Sequence, residues 1–176
     1  MDKLRHILDR RSIRRFTEQK IDRETIQLLL TAAMYAPSAV NKQPWHFVVI
    51  DQRQMLEKIM EIHPHAGMLQ TASHGIVICG DELLQHDDGY WVVDCGAATQ
   101  NLLLAAHILG LGACWVGLHP REGRKASFTS LLELPAHVKP FALVALGYPG
   151  EKISRPERFK SDKVRHNGWK LQYFQE

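Results

Sequence analysis

Residues 10 to 14 read Arg-Arg-Ser-Ile-Arg, three guanidinium groups and a hydroxyl within five residues. Arginine forks match phosphate oxygens in paired hydrogen bonds, and a hydroxyl adds one more donor. In an extended segment Arg10, Ser12 and Arg14 share one face, while Arg11 and Ile13 take the other. Three donors would then converge on one anion. Taken alone, an Arg-Arg pair is more often a solvated basic turn. A second stretch, Pro37-Ser38-Ala39-Val40-Asn41-Lys42-Gln43-Pro44-Trp45, is built of small and polar residues. It would let a backbone approach a planar ligand, and Asn41 offers both donor and acceptor to a ring edge or sugar alcohol. The same composition also suits an ordinary helix-to-strand loop.

Other chemistries lack their residues. Among the 10 histidines, His63-Pro64-His65 is the one close pair, and no His-Glu-x-x-His occurs, so no metal site is expected. Ser12 and Ser38 stand outside any Gly-x-Ser-x-Gly context, and Cys114 falls in an apolar segment. Neither Gly-x-Gly-x-x-Gly after a strand nor a Walker A sequence is present. An anion anchor and a small-residue pocket, without nucleophile, metal or acid–base pair, point to chemistry borrowed from an organic cofactor.

The elements that would position these residues follow from periodicity. Leu4, Ile7 and Leu8 lie on one face of a short helix running into Arg10. Asp22 is placed to cap a second helix, in which Ile26, Leu29, Leu30 and Ala33 recur at helical spacing until Pro37. Strands are predicted over residues 45–50, 75–79, 112–117 and 138–146, and helices over 52–61 and 121–133. Residues 90–109 are apolar almost all round, which marks a helix for a core or an interface, and Gly110 suits its end. Strands separated by helices suggest an α+β or α/β layered domain. One domain over residues 1–150 is expected, with residues 151–176 as a polar, basic arm. That arm also carries Trp169, Tyr173 and Phe174, so it should pack onto something, a partner subunit being one choice.

Composition narrows the setting. The chain has 176 residues, 45% hydrophobic and 23% charged, with a net charge of +3. That charge is too mild for nucleic acid as the main partner. No uninterrupted apolar run is long enough for a membrane span, and the opening residues lack the apolar stretch of a secretory signal. Cys79, Cys95 and Cys114 match no metal or redox spacing and read as buried free thiols. A reducing, cytoplasmic location is expected.

The chain resembles the FMN-dependent nitroreductase family. The resemblance is carried by Arg10 to Phe16, Ala36-Pro37-Ser38 through Asn41, and Gln43 to Phe47. It continues with Asp94 through Gln100 to Ala105, Gly110-Leu111-Gly112, Cys114 to Gly117, and Ala145 to Pro149, all in family order. It implies an α+β fold with a central, mostly antiparallel sheet flanked by helices. It also implies a homodimer with two FMN sites at the subunit interface and C-terminal arms exchanged between subunits. Arg10 would hold the FMN phosphate with Arg11 close by, Ser12 would support the phosphate or ribityl chain, and Arg14 would approach the pyrimidine edge. Pro37, Ser38, Ala39 and Asn41 would come from the other subunit. Trp115, Val116 and Gly117 would pass beside the ring, with a backbone N–H near Gly117 or Leu118 aimed at flavin N5. Arg158 would reach back to the phosphate. His65 stands where the family often has Asn, and His119 could face the substrate slot or serve the turn. Pro156 replaces a second family cation, which shifts weight to Arg155 or the N-terminal arginines.

The implied activity is ping-pong transfer of electrons from NADH or NADPH to nitroaromatics, quinones or free flavins. Alternatives are an FMN-dependent dehalogenase or flavin-fragmenting enzyme, and a non-catalytic flavin-binding protein.

Overall fold

A four-stranded antiparallel sheet runs in the order β1-β2-β4-β3, with β1 at Trp45–Ile50, β2 at His74–Asp81, β3 at Gly112–Gly117 and β4 at Val138–Gly147. The computed structural model describes residues 2–174. Helix α1 is Arg5–Asp9, α2 Arg23–Met34, α3 Arg53–Ile62, α4 Tyr90–Ile108 and α5 Glu122–Leu131. The architecture is therefore α+β, as expected. The two inner strands are buried apart from the half-buried Lys139, and their residues alternate between layers. Ile76, Ile78, Val144 and Leu146 face α2 and α4, while Val77, Cys79, Leu143 and Ala145 face α3 and α5. Each fully buried Leu or Ile there contributes roughly 1.5–3 kcal/mol.

Local chemistry sets the boundaries. Asp22 caps α2 by accepting the Thr25 N–H at 2.7 Å. Pro64 disfavours helical geometry in His63, which is extended and ends α3. Helix α4 closes at Gly110, whose φ of +76° suits a residue without Cβ. The helix buries Trp91, Cys95, Ala98, Leu102 and Ala106 yet leaves Val93 68% exposed. A stripe of apolar surface therefore remains on the helix with the most apolar composition.

The pairing of β2 with β4 shifts register between Ile78 and Cys79. Ala142 faces Ile78 and Pro140 faces Cys79, so Phe141 is an extra residue in β4. Bulges of this kind re-aim a residue near the end of a ladder. Here the Phe141 carbonyl accepts two N–H groups, from Leu118 at 3.2 Å and His119 at 2.9 Å. The bulge thereby fixes where β3 ends.

Beyond Gly150 the arm is extended and largely exposed, with one 3-10 turn at Ser161–Lys163 and a bridge between Arg165 and Gln172. Phe159 packs edge-on against Phe174 at 5.3 Å between centroids, and Trp169 is 82% exposed.

Candidate active site

Strand β3 forms one rim of the sheet, and the N-terminal segment lies along it. Ser12 and Ala113 make a parallel bridge in which the Ile13 N–H donates to the Ala113 carbonyl at 3.0 Å. Two glycines give the segment room. A Cβ on Gly112 would stand 2.8 Å from Ile13 Cγ2, and one on Gly147 would stand 2.8 Å from Phe16. Glu151 completes the attachment, its Oε1 accepting the N–H groups of Arg14 at 2.6 Å and Arg15 at 3.1 Å. The backbone is thus fastened along its length, while the Arg10 and Arg14 side chains are spared for other work.

Those side chains are crowded with like charge. Burial, then the positive charges of Arg11 and Arg158, push the Arg10 guanidinium below its ordinary value. Arg158 therefore comes back to Arg10 within the same chain. Burial raises the Cys114 thiol, opposed by the nearby Arg14 and Arg10 guanidiniums. Among the described residues, none of Arg10, Arg14 and Arg158 forms an ion pair. Arg155 instead pairs with Asp9 at 3.7 Å. Uncompensated guanidiniums around one corner are what an anionic ligand requires.

Beside this corner is a cavity of about 320 Å³ lined by Arg14, His63, His65, Cys114, Trp115, Val116, Gly117 and Arg124. Trp115 is 37% exposed and meets Phe141 edge-on at 5.6 Å. In an extended strand a residue's N–H and C=O point to the same side. The Ala113 carbonyl faces outward to Ile13, so Trp115 and Gly117 face outward too. The Gly117 carbonyl confirms this, since His63 Nε2 lies 3.2 Å and Arg124 Nη1 3.3 Å from it. Leu118 faces the other way, donating its N–H to Phe141, and its side chain is fully buried. Of the two N–H groups considered from sequence, Gly117 therefore offers its own to the rim.

The remaining expected residues lie elsewhere in the chain. Arg11 turns away from the corner and donates to the carbonyls of Leu8 and Arg10, the latter at 2.7 Å. It lines a separate cavity of about 250 Å³ with Asp9 and His107. His119 packs among aromatic rings, edge-on to Trp91 at 5.2 Å and stacked on Phe141 at 6.3 Å, with Nδ1 buried and without a hydrogen-bond partner among the described residues. Burial lowers its pKa.

Pro37, Ser38, Ala39 and Asn41 are not part of the β3 cavity. Their loop is held by Asp94 Oδ1, which accepts the Ala39 N–H at 3.0 Å, and by Ser38 Oγ, which accepts the Gln43 N–H at 2.9 Å. Val40, Asn41 and Gln43 have φ of 50°, 56° and 49°, three side-chain-bearing residues in left-handed geometry. A larger depression of about 860 Å³, lined by Lys20, Gln27, Val49, Asp51 and His74, contains none of the expected residues. It is bigger, but its cations, Lys20 and Arg23, share it with the Asp51 carboxylate, whereas Arg14 and Arg124 line the β3 cavity with no carboxylate among the lining residues, so the β3 rim is the better anion site.

Sequence reasoning missed Glu151, Arg124, Asp94 and His63 as supports. Only His63 carried a signal, the following proline that bends it out of α3.

The family model for the nitroreductase family matches residues 7–74 and 63–148. A Methanothermobacter thermautotrophicus protein carrying the assignment NADH dehydrogenase/NAD(P)H nitroreductase is 45% identical over 169 residues, covering 96% of this chain and 88% of that protein. A Parabacteroides distasonis crystal structure with the same assignment has a TM-score of 0.91 at 36% identity, covering 96% of this chain and 99% of that one. A nitroreductase from Desulfovibrio desulfuricans, solved in complex with FMN, has a TM-score of 0.81 at 30% identity, covering 94% and 96% of the two chains. On the family match and the 45% identity across nearly its whole length, this chain belongs to the nitroreductase family.

Proposed function

We propose that this protein is an FMN-dependent oxidoreductase that moves electrons from NADH or NADPH to nitroaromatic, quinone or free flavin acceptors. One observation carries the reading: Arg14 and the outward-facing Gly117 line one cavity on the sheet rim, and Arg10, with Arg158 near it and both unpaired among the described residues, lies close to Cys114 of the same strand. The residues fit FMN. Arg10, Arg158 and Ser12 would hold the phosphate, and Arg14 would meet the pyrimidine edge, where a cation favours the anionic reduced ring. Trp115, Val116 and Gly117 would lie along the ring, with the Gly117 N–H as donor toward N5. His65, exposed at the cavity, would supply a polar contact to the ring. When bound, FMN supplies the hydride acceptor and electron donor that no side chain here provides. The chain's own residues bind, orient and balance charge. Donor and acceptor would use one slot in turn, a ping-pong order.

The site would be completed by a second copy. The loop from Pro37 to Asn41, exposed apart from the half-buried Ser38 and Ala39, is absent from its own chain's β3 cavity. Around it Tyr35 is 83% exposed, Val40 69% and Val93 68%. Large apolar side chains in such a cluster mark an interaction surface. A homodimer would cover them and deliver Ser38, Ala39 and Asn41 to the partner's ring, with the arm from Glu151 onward packing across the interface. Among the described residues no helix is long and apolar enough to cross a membrane. A cytoplasmic setting suits the three buried free thiols; burial raises that of Cys79 to about 12.

Purified protein should be yellow and should bleach under NADH or NADPH without oxygen. Colourless protein that takes up no added FMN would defeat the proposal.

A further inference from the structure

We infer that His63 is a positioning residue that aligns the Gly117 backbone on one wall of the cavity and His65 on the other. The inference deepens the proposed FMN reading and rests on it for the identity of the ligand.

Of the side chains lining the β3 cavity, His63 has the least exposure of any polar residue, 1%. Both of its ring nitrogens are engaged. Nε2 lies 3.2 Å from the Gly117 carbonyl, which can only accept, so Nε2 carries the hydrogen. Nδ1 lies 3.2 Å from the His65 backbone N–H, which can only donate, so Nδ1 is bare. The two contacts together leave one neutral tautomer. Burial acts in the same direction by lowering the pKa of His63.

The ring itself is immobilised. It meets Phe128 edge-on at 6.2 Å, and Phe128 is fully buried between α5 and the sheet. The His63 backbone is also occupied: its N–H donates to Ile59 and its carbonyl accepts from Ala66, both at 3.0 Å. Pro64 keeps His63 extended, which directs the side chain toward β3 rather than along α3.

The consequence lies at Gly117. Its carbonyl is held on the outer side by His63, with Arg124 as a second donor at 3.3 Å. The N–H of the same residue points the same way. Gly117 has no side chain and is exposed, so the peptide that follows it is held chiefly by hydrogen bonds, from His63 and Arg124 on its carbonyl and from the Leu118 N–H to Phe141. His63 thus restrains ψ of the residue whose N–H is assigned to the flavin ring. Through Nδ1 it sets the position of His65 across the cavity.

Two substitutions separate the two contacts. His63→Gln places an amide N–H near the position of Nε2, keeping a donor for Gly117. His63→Asn places an acceptor near Nδ1, keeping the partner of His65. His63→Leu removes both. FMN affinity of the apoprotein is read by quenching of flavin fluorescence, beside the absorption band of the bound flavin and thermal unfolding. Wild-type protein should bind FMN. His63→Leu should weaken binding by about tenfold, the loss expected for one misdirected hydrogen bond. His63→Gln should return to within about threefold of wild type with its flavin band restored, while His63→Asn should stay near the Leu variant. In the ¹⁵N spectrum of the apoprotein the His63 ring should show a protonated Nε2 and a bare Nδ1.

Equal binding and an unchanged flavin band in all variants would overturn the role and leave the FMN reading intact. Equal defects in the Gln and Asn variants, following their loss of melting temperature, would reduce His63 to packing and overturn it as well. A doubly protonated ring would do the same. Failure of wild-type protein to take up FMN would instead remove the functional reading, and this role with it. If the Leu variant does not fold, the contrast between Gln and Asn still decides.

Discussion

The segment from Arg10 to Phe16 and the loop from Pro37 to Gln43 were both expected to touch the same ligand, yet they are built in opposite ways. The first is stitched to its own chain: Ile13 to Ala113, Thr17 to Tyr148, and Arg14 and Arg15 to Glu151. Its backbone runs along a sheet rim, and side chains alone are left to bind. The second is tethered at few points, chiefly Asp94 and Ser38, and keeps three non-glycine residues at positive φ. Residues held in that region cost of order 1–3 kcal/mol each and persist where the surroundings impose them. One region is fastened to the sheet with its side chains free; the other is a preshaped projection that lies outside the β3 cavity of its own chain.

The contrast can be broken most forcefully at the arginines. Arg10→Ala should weaken FMN binding about a hundredfold, since hydrogen bonds to charged groups are worth roughly 1.5–3 kcal/mol, while the melting temperature moves little. Arg11→Ala should do the reverse, losing stability with a smaller change in affinity, because Arg11 serves the carbonyls of Leu8 and Arg10. Titration with FMN beside a thermal melt reads both. Next in size, Gly112→Val should cost about 1–3 kcal/mol of stability by forcing Ile13 off the rim, measured by denaturant unfolding.

Subtler changes test the projecting loop. Val40→Gly should relieve about 1 kcal/mol of strain, leaving the fold as stable or more so, yet should lower turnover by loosening the loop. A parallel fall in stability and turnover would mean that the loop is ordinary scaffold. The smallest effect is expected with pH. Burial lowers the pKa of His63, His74, His107 and His119 in the folded chain below the ordinary histidine value of about 6.5. As pH falls through about 6.5 the unfolded chain takes up protons that the folded one refuses. Stability should therefore be complete above that value and decline below it, a loss visible as falling melting temperatures between about pH 6.5 and 5. His63→Gln should flatten part of that decline.

Much of the fold was legible because each element carries its own signal. Helix α4 was read from its composition and Gly110, and all four strands from apolar runs bounded by turns. Arg14 and Trp115 to Gly117 were legible as site candidates and line one cavity, with Arg10 near Cys114 on the same strand. The choice between the Gly117 and Leu118 N–H groups was not, because it depends on the extra residue at Phe141, and a strand pattern does not count bulges. Arg11 was grouped with Arg10 by adjacency, though alternation already placed the two on opposite faces. Glu151 and Asp94 were invisible as supports, since both act on backbone N–H groups far away in sequence. His63 was weighed as half of a metal pair; its ring Nε2 proved to face the Gly117 carbonyl on β3.

One feature of the sheet reaches further than its own neighbourhood. A strand with a supernumerary residue cannot slip by one rung without turning an aromatic ring, or a proline lacking an N–H, toward the wrong layer. Phe141 thus acts as a latch on alignment: it holds β4, and β3 hanging from it, in a single setting. Deleting that one position should displace the whole pocket wall, although no residue that lines the cavity would have been altered.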